Sequence, residues 1–287
     1  MSSDTHNRAR RRALALGVGG LVAAAAIPMD ADAETAGGSL LDTVIKRGRL
    51  TVATYSAYPP MCFADKDGKL AGFEIDIARM IAKDLLGDPE KIDFQIVDSS
   101  GRWEAVLSGR ADFGIAATTI YPTRIQRVAF TTRYMDDSNS MMVRKDAKVN
   151  SLADLNDSRI TVADLSNPQG ADRAKEFFPK AKILIFETSA AIFLAVKTGQ
   201  AQAGQMDTPV AEWYAHNNQD LKVLPTPLGG VMTNNAIFMK QGDFTWWLYL
   251  DTLIRDIRIG SSYEQYKALF NKWFGHNPPP QRFYLKA

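Results

Sequence analysis

The sequence has few of the residues on which disulfide, metal and nucleophilic chemistry depend. Its 287 residues include one cysteine, Cys62, and three histidines. A single cysteine excludes an intrachain disulfide and a cysteine-based metal cluster. Of the histidines only His216 lies inside the body of the chain, and no motif pairs it with a serine and an acid. We therefore predict no metal site, no cofactor and no catalytic residue.

An excess of charge of either sign is also missing. The chain has 34 lysines and arginines against 32 aspartates and glutamates, a formal net charge of +2. Such a balance gives no basic field for nucleic acid, which we exclude as a partner. What is present is an ordinary globular composition, 46% hydrophobic and 23% charged, which can form one large domain or two modest ones.

The first residues have the pattern of an export signal. A cluster of arginines at positions 8 to 12 precedes a run of small and apolar residues, and Ala31-Asp32-Ala33 has the form of a cleavage site. We predict that residues 1–33 are a cleavable signal peptide and that the mature protein is periplasmic. A general secretory signal and a twin-arginine signal both fit, since Arg11-Arg12 precedes the run. An uncleaved anchor is disfavoured because the run is short for a membrane span.

Beyond the signal, strand patterns alternate with helix patterns. This alternation predicts an α/β protein with parallel sheets covered by helices. The apolar stretch 236–239 and the basic turn after it repeat the form of 141–145, which suggests that the chain leaves one lobe and later returns to it. We expect lobe 1 to comprise 34–143 plus 237–275, lobe 2 to comprise 144–236, and 276–287 to be a loose tail.

A single arginine stands at an unusual corner. Asp112–Ala117 reads as a buried strand, and Pro122 after it suits the first turn of a helix, which also contains Arg124. A cation there opposes the helix dipole, so its presence is best explained by an anion, such as a carboxylate, that the guanidinium and the free N–H groups hold together. The alternative is that Arg124 lies on the surface or pairs with a nearby aspartate.

The chain repeats this arrangement once. Residues 106–114 and 195–204 both read as a helix end, a glycine stop and a strand, and the second strand is followed by Asp207 and Pro209. If the two copies face each other, one corner offers a cation and the other an anion, which together suit a zwitterion such as an α-amino acid. Asp207 could equally cap the helix at Pro209. Tyr55 and Tyr58, which follow the first strand, are candidate pocket walls or caps of the core.

Several short motifs, in this order, resemble the polar amino-acid binding proteins of ABC importers, the extracellular solute-binding family 3. They are Tyr58-Pro59-Pro60, Gly72-Phe73-Glu74-Ile75-Asp76, Leu107-Ser108-Gly109-Arg110-Ala111-Asp112, Thr118-Thr119-Ile120-Tyr121-Pro122-Thr123-Arg124, Ala129-Phe130-Thr131, Val143-Arg144-Lys145-Asp146 and Lys272-Trp273-Phe274-Gly275. The resemblance covers nearly all of the mature chain. It implies a two-lobed clamshell, each lobe a mainly parallel sheet flanked by helices, with two hinge crossings.

The resemblance also implies roles for individual residues. Arg124 matches the arginine that grips the ligand carboxylate, Thr119 the hydroxyl beside it, and Asp207 the acid that holds the ammonium, while Tyr58 matches a wall over the side chain. Arg102 resembles an arginine that meets the side-chain carboxylate in dicarboxylate binders, although Gly101 precedes it here instead of asparagine. The candidate ligand-binding residues are Tyr55, Tyr58, Arg102, Ala117, Thr119, Arg124, Asn167, Gln169, Gly170 and Asp207.

One loop departs from the family pattern. Gln169-Gly170-Ala171 stands where many members have Gly-Thr-Thr, and the loop from Asn167 to Gly170 resembles that of periplasmic cyclohexadienyl dehydratases, which share the fold. Those enzymes carry a glutamate at about the position of Val210. We interpret the chain as a monomeric binding protein and not an enzyme. It would close on a polar L-amino acid, with Arg102 favouring an acidic one, and deliver it to an inner-membrane ABC permease. A dehydratase-like enzyme and a detached sensory domain are the alternatives.

Overall fold

The computed structural model describes residues 38–166, 174–230 and 232–279. The strands in this part of the chain are β1 (Leu50–Thr54), β2 (Ala57–Tyr58), β3 (Cys62–Ala64), β4 (Leu70–Ala71), β5 (Ile92–Ile96), β6 (Phe113–Gly114), β7 (Ala129–Asp137), β8 (Asn139–Arg144), β9 (Thr161–Leu165), β10 (Lys182–Phe186), β11 (Ala203–Asp207), β12 (Leu221–Val223) and β13 (Thr233–Met239). The helices are α1 (Leu40–Arg47), α2 (Phe73–Leu86), α3 (Arg102–Leu107), α4 (Pro122–Ile125), α5 (Ser189–Lys197), α6 (Thr208–Asn217), α7 (Phe244–Ile259) and α8 (Tyr263–Phe274). Residues 174–177 are also helical, and single 3₁₀ turns occur at Ala153–Leu155 and Leu228–Gly230.

Two five-stranded sheets share one plan. The first has the order β5-β1-β6-β13-β7 and the second the order β10-β9-β11-β8-β12. In the first sheet β13 runs antiparallel to both of its neighbours, and in the second sheet β8 does the same. The other pairs are parallel, so four strands of each sheet run in one direction and one is reversed. The predicted α/β class with mainly parallel sheets is confirmed, and a small antiparallel sheet, β2-β3-β4, is added to it.

The chain passes between the two sheets at two neighbouring places. Strand β7 of the first sheet is followed directly by β8 of the second, with only Ser138 between them, and β13 returns to the first sheet after β12. Asp137 pairs with Thr233 in the first sheet, while Asn139 pairs with Asp207 in the second. The lobe boundaries that we propose, 143/144 and 236/237, lie near the end of β8 and within β13.

Helix α7 shows how the sequence pattern produces the core. Its apolar residues recur with helical spacing, and Trp246, Leu250 and Ile254 are all buried. Asp243 caps the helix by accepting from the backbone N–H of Trp246 at 2.9 Å. The indole of Trp246 donates to the carbonyl of Asp112 at 3.1 Å, which ties this helix to the segment that leads into β6. Trp246 is therefore a residue of the core.

Local predictions differ from the structure at β6 and β7, among other places. The strand predicted over Asp112–Ala117 is only two residues long, and its predicted end is wrong because Ala117 has a φ of 42°, which no strand can contain. The nine-residue strand β7 was not anticipated. The predicted signal peptide, the loop 167–170 and the end of the predicted tail lie outside the described residues. Within the described part of the chain, no helix is both long and apolar enough to cross a membrane.

Candidate ligand-binding site

Two corners of the fold are built in the same way, one in each sheet. Helix α3 ends at a turn with Gly109 and leads into β6, and helix α5 ends at a turn with Gly199 and leads into β11. In the first turn the N–H of Ala111 donates to the carbonyl of Ala105 at 2.9 Å, and in the second the N–H of Ala201 donates to that of Ala195 at 3.0 Å. The repeat seen in the sequence is therefore a structural repeat, which extends from the end of each helix into the strand.

One cleft collects most of the predicted ligand-binding residues. Six of them line it: Tyr58, Arg102, Ala117, Thr119, Arg124 and Asp207. The empty space in the cleft is about 500 Å³, its open mouth included. Three of the remaining predicted residues, at positions 167, 169 and 170, lie outside the described part of the chain.

Arg124 is buried at the cleft and not spread over the surface. It is 9% exposed, and its Nη1 donates to the carbonyl of Thr119 at 2.8 Å. The guanidinium carbon lies 4.8 Å from the ring centre of Tyr121 and 5.4 Å from that of Trp103. The backbone bond and the two rings fix the plane of the guanidinium, which favours two-pronged recognition of a planar anion.

Arg102 is a second buried guanidinium in the same cleft. Its Nη1 donates to the hydroxyl of Tyr55 at 2.7 Å, the carbonyl of Ala116 at 2.9 Å and the hydroxyl of Thr118 at 3.1 Å. Its guanidinium carbon lies 4.6 Å from the ring centre of Trp103, so this ring is close to both arginines. The cleft therefore contains two buried guanidinium groups, which suit carboxylates, beside the acidic side chains of Asp164 and Asp207.

The two tyrosines after β1 have different places. Tyr58 lines the cleft itself, and its ring meets that of Tyr55 edge to face with centres 5.7 Å apart. Tyr55 lines an adjoining cavity and contacts two residues of the cleft, Tyr58 and Arg102. Burial raises the pKa of the Tyr58 hydroxyl well above its usual value, and the nearby charges of Asp207 and Asp137 raise it further. This hydroxyl therefore stays protonated near neutral pH.

Asp207 ends strand β11 and precedes helix α6. It occupies the N-cap position of this helix, yet its side chain makes no capping hydrogen bond. The residue is 9% exposed and lines the cleft. Asp207 therefore lines the cleft from the end of β11, and no side-chain hydrogen bond from it caps α6.

A second carboxylate, which the sequence did not point to, lies behind Asp207 at the crossing. Asp137 is 6% exposed. It accepts from the backbone N–H of Ser138 at 2.6 Å and from Nδ2 of Asn235 at 2.9 Å. Burial raises the pKa of Asp137 well above its ordinary value, and the charge of Asp207 raises it further. The crossing thus contains two acidic groups that disfavour each other's ionisation.

Neutralising Asp137 should stabilise the protein at neutral pH. Because its pKa is raised by folding, the stability that this carboxyl contributes is present at low pH and is lost as the pH rises through the folded-state pKa. We expect Asp137→Asn to increase the free energy of unfolding at pH 8 by about 1–3 kcal/mol, with a smaller gain at pH 4. The new amide meets the Nδ2 atom of Asn235, and a turn of the Asn235 amide brings its Oδ1, which has no partner among the described residues, into position to accept. Urea unfolding at several pH values measures this difference.

The neighbouring Asp136→Asn is the matched control. That carboxylate is only partly buried and pairs with Arg133 and Arg258, so its removal should not stabilise the protein at any pH. If Asp137→Asn were less stable than the wild type across the whole pH range, the ionised carboxylate of Asp137 would stabilise the fold, contrary to this prediction.

Six further residues line the cleft that sequence reasoning did not single out: Tyr121, Asn139, Asp164, Leu165, Gln205 and Met206. Asp164 and Leu165 close the carboxyl end of β9, the same kind of position that drew attention to Tyr55. That rule, applied to every strand, would have found them. Among the described residues no group of three or more His, Cys, Asp or Glu side chains could hold a metal ion.

Two mixed sheets joined by neighbouring crossings, with a buried charged cleft, define the clamshell architecture of solute-binding proteins. The sequence model of the bacterial extracellular solute-binding proteins, family 3, matches residues 50–276, and the chain belongs to this family.

Relatives of the chain have related names. It is 34% identical over 193 residues to a glutamine-binding protein of Geobacillus stearothermophilus, covering 66% of this chain and 72% of the relative. It is 28% identical to the ABC transporter glutamine-binding protein of Bacillus subtilis, covering 74% of this chain and 75% of the relative. A solved structure of an ancestral amino-acid-binding protein, a precursor of cyclohexadienyl dehydratase, matches with a TM-score of 0.75 at 33% identity, covering 82% of this chain and all of the other.

Proposed function

We propose that this protein is the periplasmic solute-binding component of an ABC amino-acid importer. One observation carries the proposal: a buried guanidinium, Arg124, and a buried carboxylate, Asp207, follow equivalent strands of the two sheets and line one cleft. An α-amino acid presents the complementary pair, a carboxylate and an ammonium. Arg124 would bind the carboxylate with Thr119 beside it, Asp207 would bind the ammonium, and Tyr58 would cover the side chain.

Binding from both sheets at once would couple the ligand to closure. A ligand that bridges Arg124 and Asp207 holds the two sheets together, and the chain links these sheets at the crossings beside Ser138 and between β12 and β13. Rotation about two neighbouring crossings is hinge closure. The closed form would be the one that a membrane permease recognises, and the protein would work as a monomer after export by its signal peptide.

Calorimetry tests this function directly. The purified protein is titrated with each of the 20 common L-amino acids, and small-angle scattering follows the radius of gyration with each one that binds. We expect saturable binding of a polar amino acid with a decrease in radius. The absence of a binding signal with all 20 amino acids would contradict the proposal.

The enzyme alternative is tested in the same samples. The structural similarity to a precursor of cyclohexadienyl dehydratase gives this alternative its one specific support, although that protein is itself described as amino-acid-binding. Val210, at about the position of the dehydratase glutamate, is fully buried in α6 and has no acidic group. Prephenate and arogenate should therefore not be turned over. Measurable release of carbon dioxide and water from either compound would favour the enzyme. Binding of an amino acid by a protein that has no cognate permease would favour a sensory role.

Arg102 should set the preference for an acidic side chain. We expect Arg102→Met to lower the ratio of L-glutamate to L-glutamine affinity by about tenfold, since a charge-assisted hydrogen bond in a buried site is worth about 1.5–3 kcal/mol. Arg110→Met is the control, because Arg110 is exposed and bonds only to Ser108 in the described structure. An unchanged ratio of affinities in the Arg102 variant would mean that this arginine does not contact the side chain of the ligand.

A further inference from the structure

The wall of the cleft contains one residue in an unfavourable backbone conformation. Ala117 has a φ of 42° and is the one non-glycine residue with positive φ in the described part of the chain. L-residues rarely adopt this region because Cβ crowds the carbonyl oxygen. Some external contact must hold the chain there. The N–H of Ala117 donates to Oε1 of Glu74 at 2.8 Å, so the side chain of Glu74 supplies that contact.

Glu74 is itself fully enclosed. It lies in the first turn of α2 with no exposed surface. Besides the N–H of Ala117, its carboxylate accepts from the hydroxyl of Tyr134 and from the thiol of Cys62, the latter at 3.0 Å. Burial raises the pKa of Glu74, while these three donors oppose the rise. A buried acidic group that touches no solvent and is not itself part of the cleft needs a reason to be there.

The segment that Glu74 holds, residues 116–119, accepts hydrogen bonds from both arginines of the cleft. The carbonyl of Ala116 accepts from Nη1 of Arg102 at 2.9 Å, and the carbonyl of Thr119 accepts from Nη1 of Arg124 at 2.8 Å. These carbonyls lie on either side of Ala117. The direction of each carbonyl depends on the backbone dihedral angles of this segment, so a change in the conformation of Ala117 would turn both guanidinium groups away from their common target.

We propose that Glu74 is a positioning residue for the ligand: by accepting from the N–H of Ala117 it keeps residues 116–119 in the conformation that aims Arg102 and Arg124 into the cleft. This inference rests on the proposed function, because it assumes that the two arginines meet a ligand. Glu74 does not contact the ligand. It acts through the backbone of Ala117, from the opposite side of the cleft wall.

Three variants separate this role from a contribution to stability alone. Glu74→Met keeps the length of the side chain but has no oxygen to accept from Ala117. Glu74→Gln keeps that oxygen and can turn its amide nitrogen toward the sulfur of Cys62. Cys62→Ala removes a different bond to the same carboxylate, together with a fully buried side chain, and leaves the bond to Ala117 in place. The probe is the amino acid that the wild type binds most tightly, with L-glutamine and L-glutamate tested first.

We expect Glu74→Met to weaken binding by tenfold or more, equivalent to ~1.4 kcal/mol, and Glu74→Gln to restore affinity to within about threefold of the wild type. Cys62→Ala should lower the melting temperature and leave affinity unchanged. If Glu74→Met does not fold, Glu74→Asp replaces it, since a carboxylate one methylene shorter cannot reach Ala117. Wild-type affinity in the variant without the bond would overturn the proposal. So would a loss in Cys62→Ala as large as in Glu74→Met, because affinity would then follow stability.

A measurement without ligand keeps this inference distinct from the proposed function. Amide hydrogen exchange at Ala117 is followed by NMR, with the amide of Leu224, which donates to the carbonyl of Met141 at 2.9 Å in the second sheet, as the internal reference. Exchange at Ala117 should become selectively faster in Glu74→Met and should not change in Cys62→Ala. If no amino acid binds the wild type, the proposed function fails while this result still decides whether Glu74 holds Ala117. Equal protection of Ala117 in both variants would overturn the positioning role.

Discussion

Replacing Arg124 by alanine should raise the dissociation constant for the amino-acid ligand by about 30-fold or more without unfolding the protein. The guanidinium is buried, lies against the rings of Tyr121 and Trp103, and shares the cleft with Asp207. Removing one partner of a buried charge pair costs roughly 2–5 kcal/mol, because the ligand carboxylate would lose its hydration without a replacement. Calorimetric titration with the best wild-type ligand measures the change.

Two further variants sharpen the test of Arg124. Arg127→Ala, three residues further along, removes an exposed arginine and should leave the affinity unchanged. Arg124→Lys keeps the charge but loses the flat two-pronged geometry, so we expect an intermediate affinity. Equal affinity of the wild type and Arg124→Ala, with both folded by circular dichroism, would remove Arg124 from the binding site.

Adding a single methyl group at Gly114 should destabilise the protein by about 3 kcal/mol, the upper end for overpacking. A Cβ at this position would lie 2.1 Å from Cζ of Phe238, far inside van der Waals contact. The ring of Phe238 cannot move aside easily, because Trp103 and Phe130 pack around it with ring centres 5.0 and 6.4 Å away. Chemical denaturation of Gly114→Ala measures the loss.

A second substitution should rescue this variant. Phe238→Leu shortens the side chain that blocks the new methyl group, so the double variant should be more stable than the sum of the two single effects predicts. Gly109→Ala is the control: its Cβ would meet nothing within 4 Å, although its φ of 75° makes alanine cost about 1–2 kcal/mol. Additive effects of Gly114→Ala and Phe238→Leu would show that steric overlap with this ring is not the cause.

The sequence predicted the parts of the site that follow from local signals. Arg124 and Asp207 stand out because each comes after a short buried strand and near a helix-starting proline, and both lie in the cleft of the structure. The assignment of ligand contacts to them is still a prediction. Glu74 and Asp137 could not be recognised in this way, because their partners, Ala117 and Asn235, are far along the chain and only the folded backbone brings them together.

Strand predictions failed where the backbone is irregular. The buried positions of β7 do not alternate cleanly, because its pairing with β13 shifts register on either side of Ala236. A search for a period of two therefore does not find it. The overlong prediction for β6 has the opposite cause: the apolar run continues to Ala117, while the backbone has already left the strand. The apolar residues after Gly114 are buried, but their backbone is not part of the strand.

The position of β13 has a consequence for the order in which the protein assembles. All five strands of the second sheet come from the continuous stretch 139–223, whereas the first sheet needs β13, residues 233–239, between β6 and β7. During synthesis from the N-terminus, all five strands of the second sheet are therefore made before β13, the strand that completes the first sheet. Until then β6 and β7 each carry an unpaired edge, the kind of edge that invites pairing with other chains. The sheet begun first is the last to be completed.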